Sequence, residues 1–483
     1  MRGLLVSCGP GRRWRGGARV GGDRFVRRVF VAGVALMLGV GVASPVVALE
    51  SVDALPDTYD GDGLWYFDWN HIQDLHDQGI DGSGVTIAMI DSPVNVDVPT
   101  LQGASITPIP PLGCEGGGEP SATSTDVAAA VHGTNVASFI VGSGAGYPGQ
   151  TGVKGIAPGV HLLAYATLYP EGVLDECLAD NPDWFPTQRV ALAINDAVAR
   201  GVDIITVSQL VTNSFELVDA LANAFAHDVI VVAGVQNHGA EVVLAHSPGD
   251  MNGVLSVSAV RPDGRPVTDY MQHETRDVET DVVAPGWDLL AQGYGDGTWQ
   301  SQSLEGGTSF ATPITAAEIA LVMQKYPHAT PNQILNSLIH NTGVSDSHEV
   351  VFDSEYRLGY GIVATAFLAA DPTQYDDVNP FIERMSRSAA ARNDPNPDSS
   401  WGPTVEQIAA YRDGAGTVSP TPSTDGTDGS ARPGRHHAAT HTSHSDNSSP
   451  LPLILISSSV LAAIITGIII AIRTTSKPTR NNS

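Results

Sequence analysis

Gly306-Gly307-Thr308-Ser309-Phe310-Ala311-Thr312-Pro313 places a serine at the mouth of an apolar stretch, directly behind a pair of glycines. Glycine has no Cβ, so a second backbone can come close there. A serine at a helix start is most often an N-cap, accepting a hydrogen bond from the first turn. A hydroxyl at that point also sits near the positive end of the helix dipole. Two upstream segments bear on the choice. Val85-Thr86-Ile87-Ala88-Met89-Ile90 is a β-branched run that ends in Asp91 and Ser92. His132-Gly133-Thr134-Asn135-Val136-Ala137 carries a histidine into another apolar helix. A hydroxyl nucleophile, an imidazole base and a carboxylate to orient it are the groups that amide hydrolysis at neutral pH requires.

Outward from these segments, β-branched runs alternate with longer helical stretches. Strands are expected at 85–90, 161–167, 203–207, 229–233, 254–260 and 281–284, and helices at 127–141, 187–200, 214–226, 309–326 and 332–340. Apolar strands separated by helices predict an α/β domain, its sheet mainly parallel with helices on both faces. Such sheets carry their sites at the carboxyl ends of strands, and Asp91 directly follows one. A helix starting at Ser309 would hold Pro313 in its first turn, where proline is tolerated. Tyr360-Gly361-Ile362-Val363 closes the domain, which is read as 81–375.

The flanks are of other kinds. Residues 49–80 form an acidic lead whose Trp65, Tyr66, Phe67 and Trp69 call for burial against the domain. Residues 376–450 are polar, with one weak helical stretch at 404–411 and then a tract rich in Ser, Thr, Pro, Gly and Asp. That composition cannot bury a core and reads as a stalk; His436, His437, His441 and His444 read as part of a solvated tract. Residues 1–48 have a basic start, an apolar run and Val46-Val47-Ala48, the layout of a secretory signal peptide. Arg27-Arg28-Val29-Phe30 also fits a twin-arginine signal, with the general secretory route preferred. Residues 451–472 are apolar, and 22 residues suffice to cross a bilayer core of about 30 Å. Arg473, Lys477 and Arg480 follow, so the 473–483 tail is expected in the cytoplasm and the bulk of the chain outside it.

The charge is lopsided. Of 25 basic and 52 acidic residues, the first 48 positions take eight arginines and one acid, leaving 17 basic against 51 acidic. Phosphate binding needs a basic face, so no nucleic-acid partner is expected. Cys8 lies in the signal segment; Cys114 and Cys177, in an exported domain, are expected to form a disulfide. No zinc-type spacing, Walker loop or dinucleotide fingerprint occurs, so neither cofactor nor metal is expected. Asp60-Gly61-Asp62-Gly63 lacks the remaining ligands of a calcium loop and reads as a turn.

The three motifs, in the order Asp91, His132, Ser309, resemble the subtilisin-like serine proteases (subtilases), whose triad follows that order. Gly152-Val153-Lys154-Gly155-Ile156-Ala157-Pro158 and Asp281-Val282-Val283-Ala284-Pro285-Gly286 extend the resemblance over about residues 80–375. It implies that Ser309 is the nucleophile, that His132 takes and returns its proton, and that Asp91 fixes the imidazole tautomer. Val231 to Gly239 aligns with the family segment ending Ala-Gly-Asn-x-Gly, which implies Asn237 as the side-chain oxyanion donor. Three departures stand out. Gln236 and Pro93 replace glycines, and Ser208-Gln209-Leu210 stands where the family reads Ser-Leu-Gly-Gly on the strand that pairs with substrate. The last suggests a restricted groove or weakened activity; Pro93 fixes its turn and carries no functional reading.

The whole order of parts resembles the mycosins, membrane-anchored subtilases associated with type VII secretion. That likeness implies a single-pass cell-membrane serine endopeptidase facing outward, with an acyl-enzyme mechanism and a narrow range of polypeptide substrates. It also implies contact with subunits of a membrane secretion complex. The alternative is a weak or inactive subtilase-fold subunit with a structural or binding role in such a complex.

Overall fold

Along β1 (Thr86–Asp91) the side chains alternate, Ile87 and Met89 packing into one core and Ala88 and Ile90 into another, all essentially without exposed surface. A strand buried on both faces belongs inside a sheet covered by layers on either side. The computed structural model describes residues 61–112, 121–169, 186–211, 214–235, 248–267, 280–343, 350, 352, 358–383 and 402–414. Within them β1 lies inside a seven-stranded sheet. The other members are β2 (Ile106–Ile109), β5 (His161–Ala166), β6 (Ile204–Val207), β7 (Ile230–Gly234), β8 (Leu255–Val260) and β9 (Val282–Pro285). Their order is β2-β5-β1-β6-β7-β8-β9, with every described pairing parallel. β3 (Ser143–Ala145) and β4 (Thr151–Lys154) form one antiparallel pair, and β10 (Leu289–Gln292) and β11 (Gln302–Glu305) another. Each of the six expected strands appears within a residue of its predicted range. β2 escaped notice because Ile106-Thr107-Pro108-Ile109 is short and carries a proline, which only an edge strand accommodates.

The helices, in chain order, are α1 (Trp65–Trp69), α2 (Ile72–Asp77), α3 (Val127–Val141), α4 (Pro186–Ala199), α5 (Phe215–Ala226), α6 (Thr308–Lys325), α7 (Pro331–His340), α8 (Thr365–Ala369) and α9 (Val405–Arg412). Helices α3, α6 and α7 share a core with Ile87, Met89, Ala164 and Val232; α4 and α5 share the opposite one with Ala88, Ile90, Tyr165 and Val207. The sheet is therefore sandwiched, as the alternation required. Their starts are capped as polar side chains allow. Asp126 accepts from the Ala128 N–H at α3, and Thr330 forms a reciprocal box with Gln333 at α7.

α6 departs from expectation in one respect. It begins at Thr308, so Pro313 falls in its second turn rather than its first. Proline has no N–H, and the carbonyl four residues back, that of Ser309, loses its helical partner. The Thr312 and Thr315 hydroxyls bond back to the carbonyls of Thr308 and Ala311, 2.7 and 3.0 Å away, a pattern that often accompanies a bend in the helix.

The aromatic lead is well anchored. Tyr66 has no exposed surface; its hydroxyl donates to the Lys154 carbonyl at 2.6 Å, and its ring meets that of Phe139 edge-on at 5.4 Å. Trp65 donates from Nε1 to the Trp287 carbonyl at 2.9 Å. The Asp62 carboxylate accepts the Leu64 N–H at 2.8 Å, a turn contact. Packing also continues past residue 375. Phe381 is fully buried and its carbonyl receives the Gly253 N–H at 3.0 Å, while Arg412 of α9 bonds the Phe225 carbonyl and the Asp228 carboxylate. Among the described residues no helix is long and apolar enough to cross a membrane. The segments 1–48 and 451–472 lie outside the described residues.

Candidate active site

Asp91 is the last residue of β1, at the carboxyl edge of the sheet, and is fully buried. Its Oδ1 accepts the Ser92 N–H at 2.6 Å and stands 2.7 Å from His132 Nδ1. His132 lies in the second turn of α3, with its side chain 31% exposed. A carboxylate on Nδ1 holds the proton there and leaves Nε2 free to accept. Burial pulls the imidazole pKa down, but the charge and hydrogen bond of Asp91 outweigh it, so the net value lies above the ordinary one.

The approach of β1 to α3 depends on the residue after the histidine. The Gly133 N–H donates to Ser92 Oγ at 2.9 Å. A Cβ on Gly133 would lie 2.3 Å from the Ser92 carbonyl oxygen and 2.8 Å from that of Pro93. Only backbone lies there to yield, so Gly133→Ala must push strand and helix apart. We expect its turnover to fall about 100-fold through misplacement of the Asp91–His132 pair. Stability should fall by about 1–3 kcal/mol through overpacking. Urea melts read beside initial rates separate the two losses.

Ser309 arrives from the other side, half-buried, as the second residue of α6. Its helix start is tied to the ends of two strands: the Gly307 N–H donates to the Gly286 carbonyl, just past β9, at 2.7 Å, and Thr308 Oγ1 donates to the Val235 carbonyl, just past β7, at 2.6 Å. The next residue, Phe310, stacks on the His132 ring with centroids 6.1 Å apart and planes at 27°. Phe139 touches Phe310 in turn, at 5.0 Å, so a row of rings runs from Tyr66 in the lead to the imidazole. The structure thus joins Asp91 to His132 directly, and of the nucleophile motif it is Phe310 that meets the imidazole. No Ser309–His132 hydrogen bond occurs among the described residues; nucleophile–base contacts often close only once substrate is bound.

Gln209 occupies a different place from the one its motif suggested. It is only 8% exposed, and its Oε1 accepts from Thr167 Oγ1 at 3.0 Å. Thr167 also gives its N–H to the Asp91 carbonyl at 2.8 Å, and its own carbonyl receives Arg189 Nε at 3.1 Å. The Gln209 side chain, at the position where the family motif has leucine, therefore folds inward and meets the chain just past the end of β5, the strand beside β1. Tyr294 is held protonated by burial first, then by the charges of Asp91 and Glu305. Gly133, Ser92, Thr308 and Thr167 were not assigned roles from the sequence, although three of them lie inside the quoted motifs. Asn237, Cys114 and Cys177 lie outside the described residues.

Comparison with known proteins agrees with this geometry. The model of the subtilase family, Peptidase S8, matches residues 82–361. This chain belongs to the subtilase family. The subtilase is 29% identical over 270 residues to subtilisin E of Bacillus subtilis, covering 55% of this chain and 62% of that protein. It therefore spans less than two thirds of that relative's length. It is 28% identical over 295 residues to the subtilisin of Bacillus pumilus, covering 60% of this chain and 92% of that one. Among solved structures, MycP1 from Mycobacterium smegmatis is 22% identical with a TM-score of 0.48, over 69% of this subtilase and 92% of that chain.

Proposed function

We propose that this subtilase is a serine endopeptidase in which Ser309 is the nucleophile, His132 the general base and acid, and Asp91 the group that orients the imidazole. The observation that carries the reading is the 2.7 Å contact between His132 Nδ1 and the buried Asp91 carboxylate, beside a helix start that presents Ser309. Nε2 takes the Ser309 proton as Oγ attacks the peptide carbonyl. The tetrahedral intermediate collapses, His132 hands the proton to the leaving amine, and water then cleaves the acyl ester by the same route in reverse. Asn237 is assigned as the side-chain oxyanion donor, paired with the Ser309 N–H. Val235, two residues before it, accepts the Thr308 hydroxyl next to Ser309, which supports that assignment.

The wider reading rests on the sequence layout. Signal segment 1–48, lead 49–80, a catalytic domain from 81 whose packing runs on past 375 through Phe381 and α9, the Ser/Thr/Pro-rich stalk that follows to 450 and apolar segment 451–472 describe an enzyme tethered in the cell membrane and facing outward. Its substrates are polypeptides, and a short lead with a tethering stalk suits a narrow role on exported proteins beside a secretion complex. A Cys114–Cys177 disulfide belongs to the same extracytoplasmic reading.

A serine-directed fluorophosphonate tests the proposal. The probe should add one adduct to the folded chain, located at Ser309 by peptide mass, and His132→Ala should abolish it. A folded protein that never reacts would overturn the enzymatic reading in favour of a structural subunit.

A further inference from the structure

Glu318 lies in the middle of α6 with no exposed surface, surrounded by the apolar core. Its Oε1 accepts a hydrogen bond from Nδ2 of Asn70, a fully buried residue in the turn between α1 and α2. Each partner keeps one unmatched buried atom: Glu318 Oε2 and Asn70 Oδ1 have no hydrogen-bond partner among the described residues. An ionised carboxylate and an amide oxygen can only accept, so those two atoms cannot satisfy each other. A single proton on Oε2 changes that. The acid then donates to Asn70 Oδ1 while Asn70 Nδ2 donates to Oε1, closing a two-bond ring with neither acceptor left over.

We propose that Asn70 and Glu318 form a proton-dependent latch that holds the lead on the nucleophile-bearing helix, closed while one proton lies between them and open once it leaves. Burial pushes the Glu318 carboxyl from its ordinary 4.5 up to about 8, the Asn70 hydrogen bond opposing only in part. Titratable groups on the surrounding elements are engaged elsewhere or exposed. Tyr66 bonds Lys154, His76 bonds the Ile156 carbonyl, His132 bonds Asp91, Lys325 bonds the Leu368 carbonyl and Asp281 receives the Ser256 N–H. Asp68, His71, Asp74 and Asp77 face solvent.

The sign follows from which state keeps the proton. Between 4.5 and about 8 the folded chain holds it and the unfolded chain does not. The latch therefore contributes fully below that window, and the unfolding constant rises up to about tenfold per pH unit across it. A rival partner exists in Trp69 Nε1, also buried without an acceptor. If it served an ionised Glu318, the slope would have the opposite sign. The latch does not depend on the chemistry assigned to Ser309.

Glu318→Gln in the full chain tests it, since the amide can donate to Asn70 Oδ1 and accept from Nδ2 at any pH. Going from about pH 6 to about pH 9, the wild-type backbone amides of residues 64–78 should lose at least about tenfold in exchange protection, corrected for intrinsic rates, whereas Glu318→Gln should keep it. The infrared carbonyl band of a protonated carboxyl group should be present in the wild type at the lower pH, vanish at the higher, and be missing from the variant. Glu318→Met, with neither proton nor amide, should expose the lead at both pH values and lose the pH slope. Equal protection of the wild type at both pH values, or a wild-type slope retained by either variant, would overturn the latch.

Discussion

Replacing Ser309 by alanine is expected to lower peptide turnover by roughly 10⁴–10⁶-fold while leaving the fold intact. In the proposed mechanism attack by Oγ is the first bond-forming step, and alanine offers no nucleophile in its place. The stability side of the argument is equally specific. The helix start is held by Gly307 and Thr308, not by the Ser309 hydroxyl, and alanine is a good helix residue. Unfolding free energy should therefore shift by no more than about 0.5 kcal/mol. Progress curves on a quenched peptide, beside a urea melt of the same preparation, measure both. Because members of a triad act as a unit, adding His132→Ala should cost little more than Ser309→Ala alone. A Ser309→Ala protein with wild-type turnover would remove the acyl-enzyme mechanism from consideration.

Asp91→Asn should be nearly as severe, about 10⁴-fold, and for a different reason. The asparagine amide can present an N–H to His132 Nδ1 and so favour the tautomer with its proton on Nε2, where it cannot accept from serine. The pH profile carries a second signature. In the wild type the imidazole pKa lies above its ordinary value, so activity appears only as pH climbs past that raised value. Removing the carboxylate leaves burial as the dominant influence, and the residual activity should titrate at lower pH. Stability should report the same pairing. A histidine whose folded pKa is raised stabilises fully below its unfolded value, and that contribution fades as pH rises through the folded value. Asp91→Asn should thus lose more stability at about pH 5 than at about pH 8, and the reverse order would exclude a charged Asp91–His132 pair.

Much of this molecule can be read from periodicity. The six core strands are near-continuous apolar runs because both their faces are covered, and α3 occupies its expected range from Asp126 onward. The burial of Trp65, Tyr66, Phe67 and Trp69 followed from their area alone. What escaped depends on distance along the chain. Gly133 and Ser92 meet across 41 residues, Thr308 and Val235 across 73, and Asn70 and Glu318 across 248. Nothing local to Glu318 announces a partner; it looks like an isolated acid interrupting an apolar helix. Gln209 misled in the opposite sense. A large polar residue in a motif that the family fills with leucine and glycines suggests an obstructed groove, yet the Gln209 side chain turns inward and its Oε1 accepts from Thr167. Pro313 shifted by a turn because helix starts are set by which carbonyls close the first ring, and that is a matter of one residue.

The strand order has a further consequence, for the order of events during synthesis. β1 is flanked by β5 and β6, which follow it in the chain by some seventy to more than a hundred residues. Those long-range pairings must form before the carboxylate is enclosed, and the hydroxyl comes from the helix that begins at Thr308. A partly made chain therefore holds no competent constellation, and a nascent copy is chemically silent toward its neighbours until nearly the entire domain has been laid down.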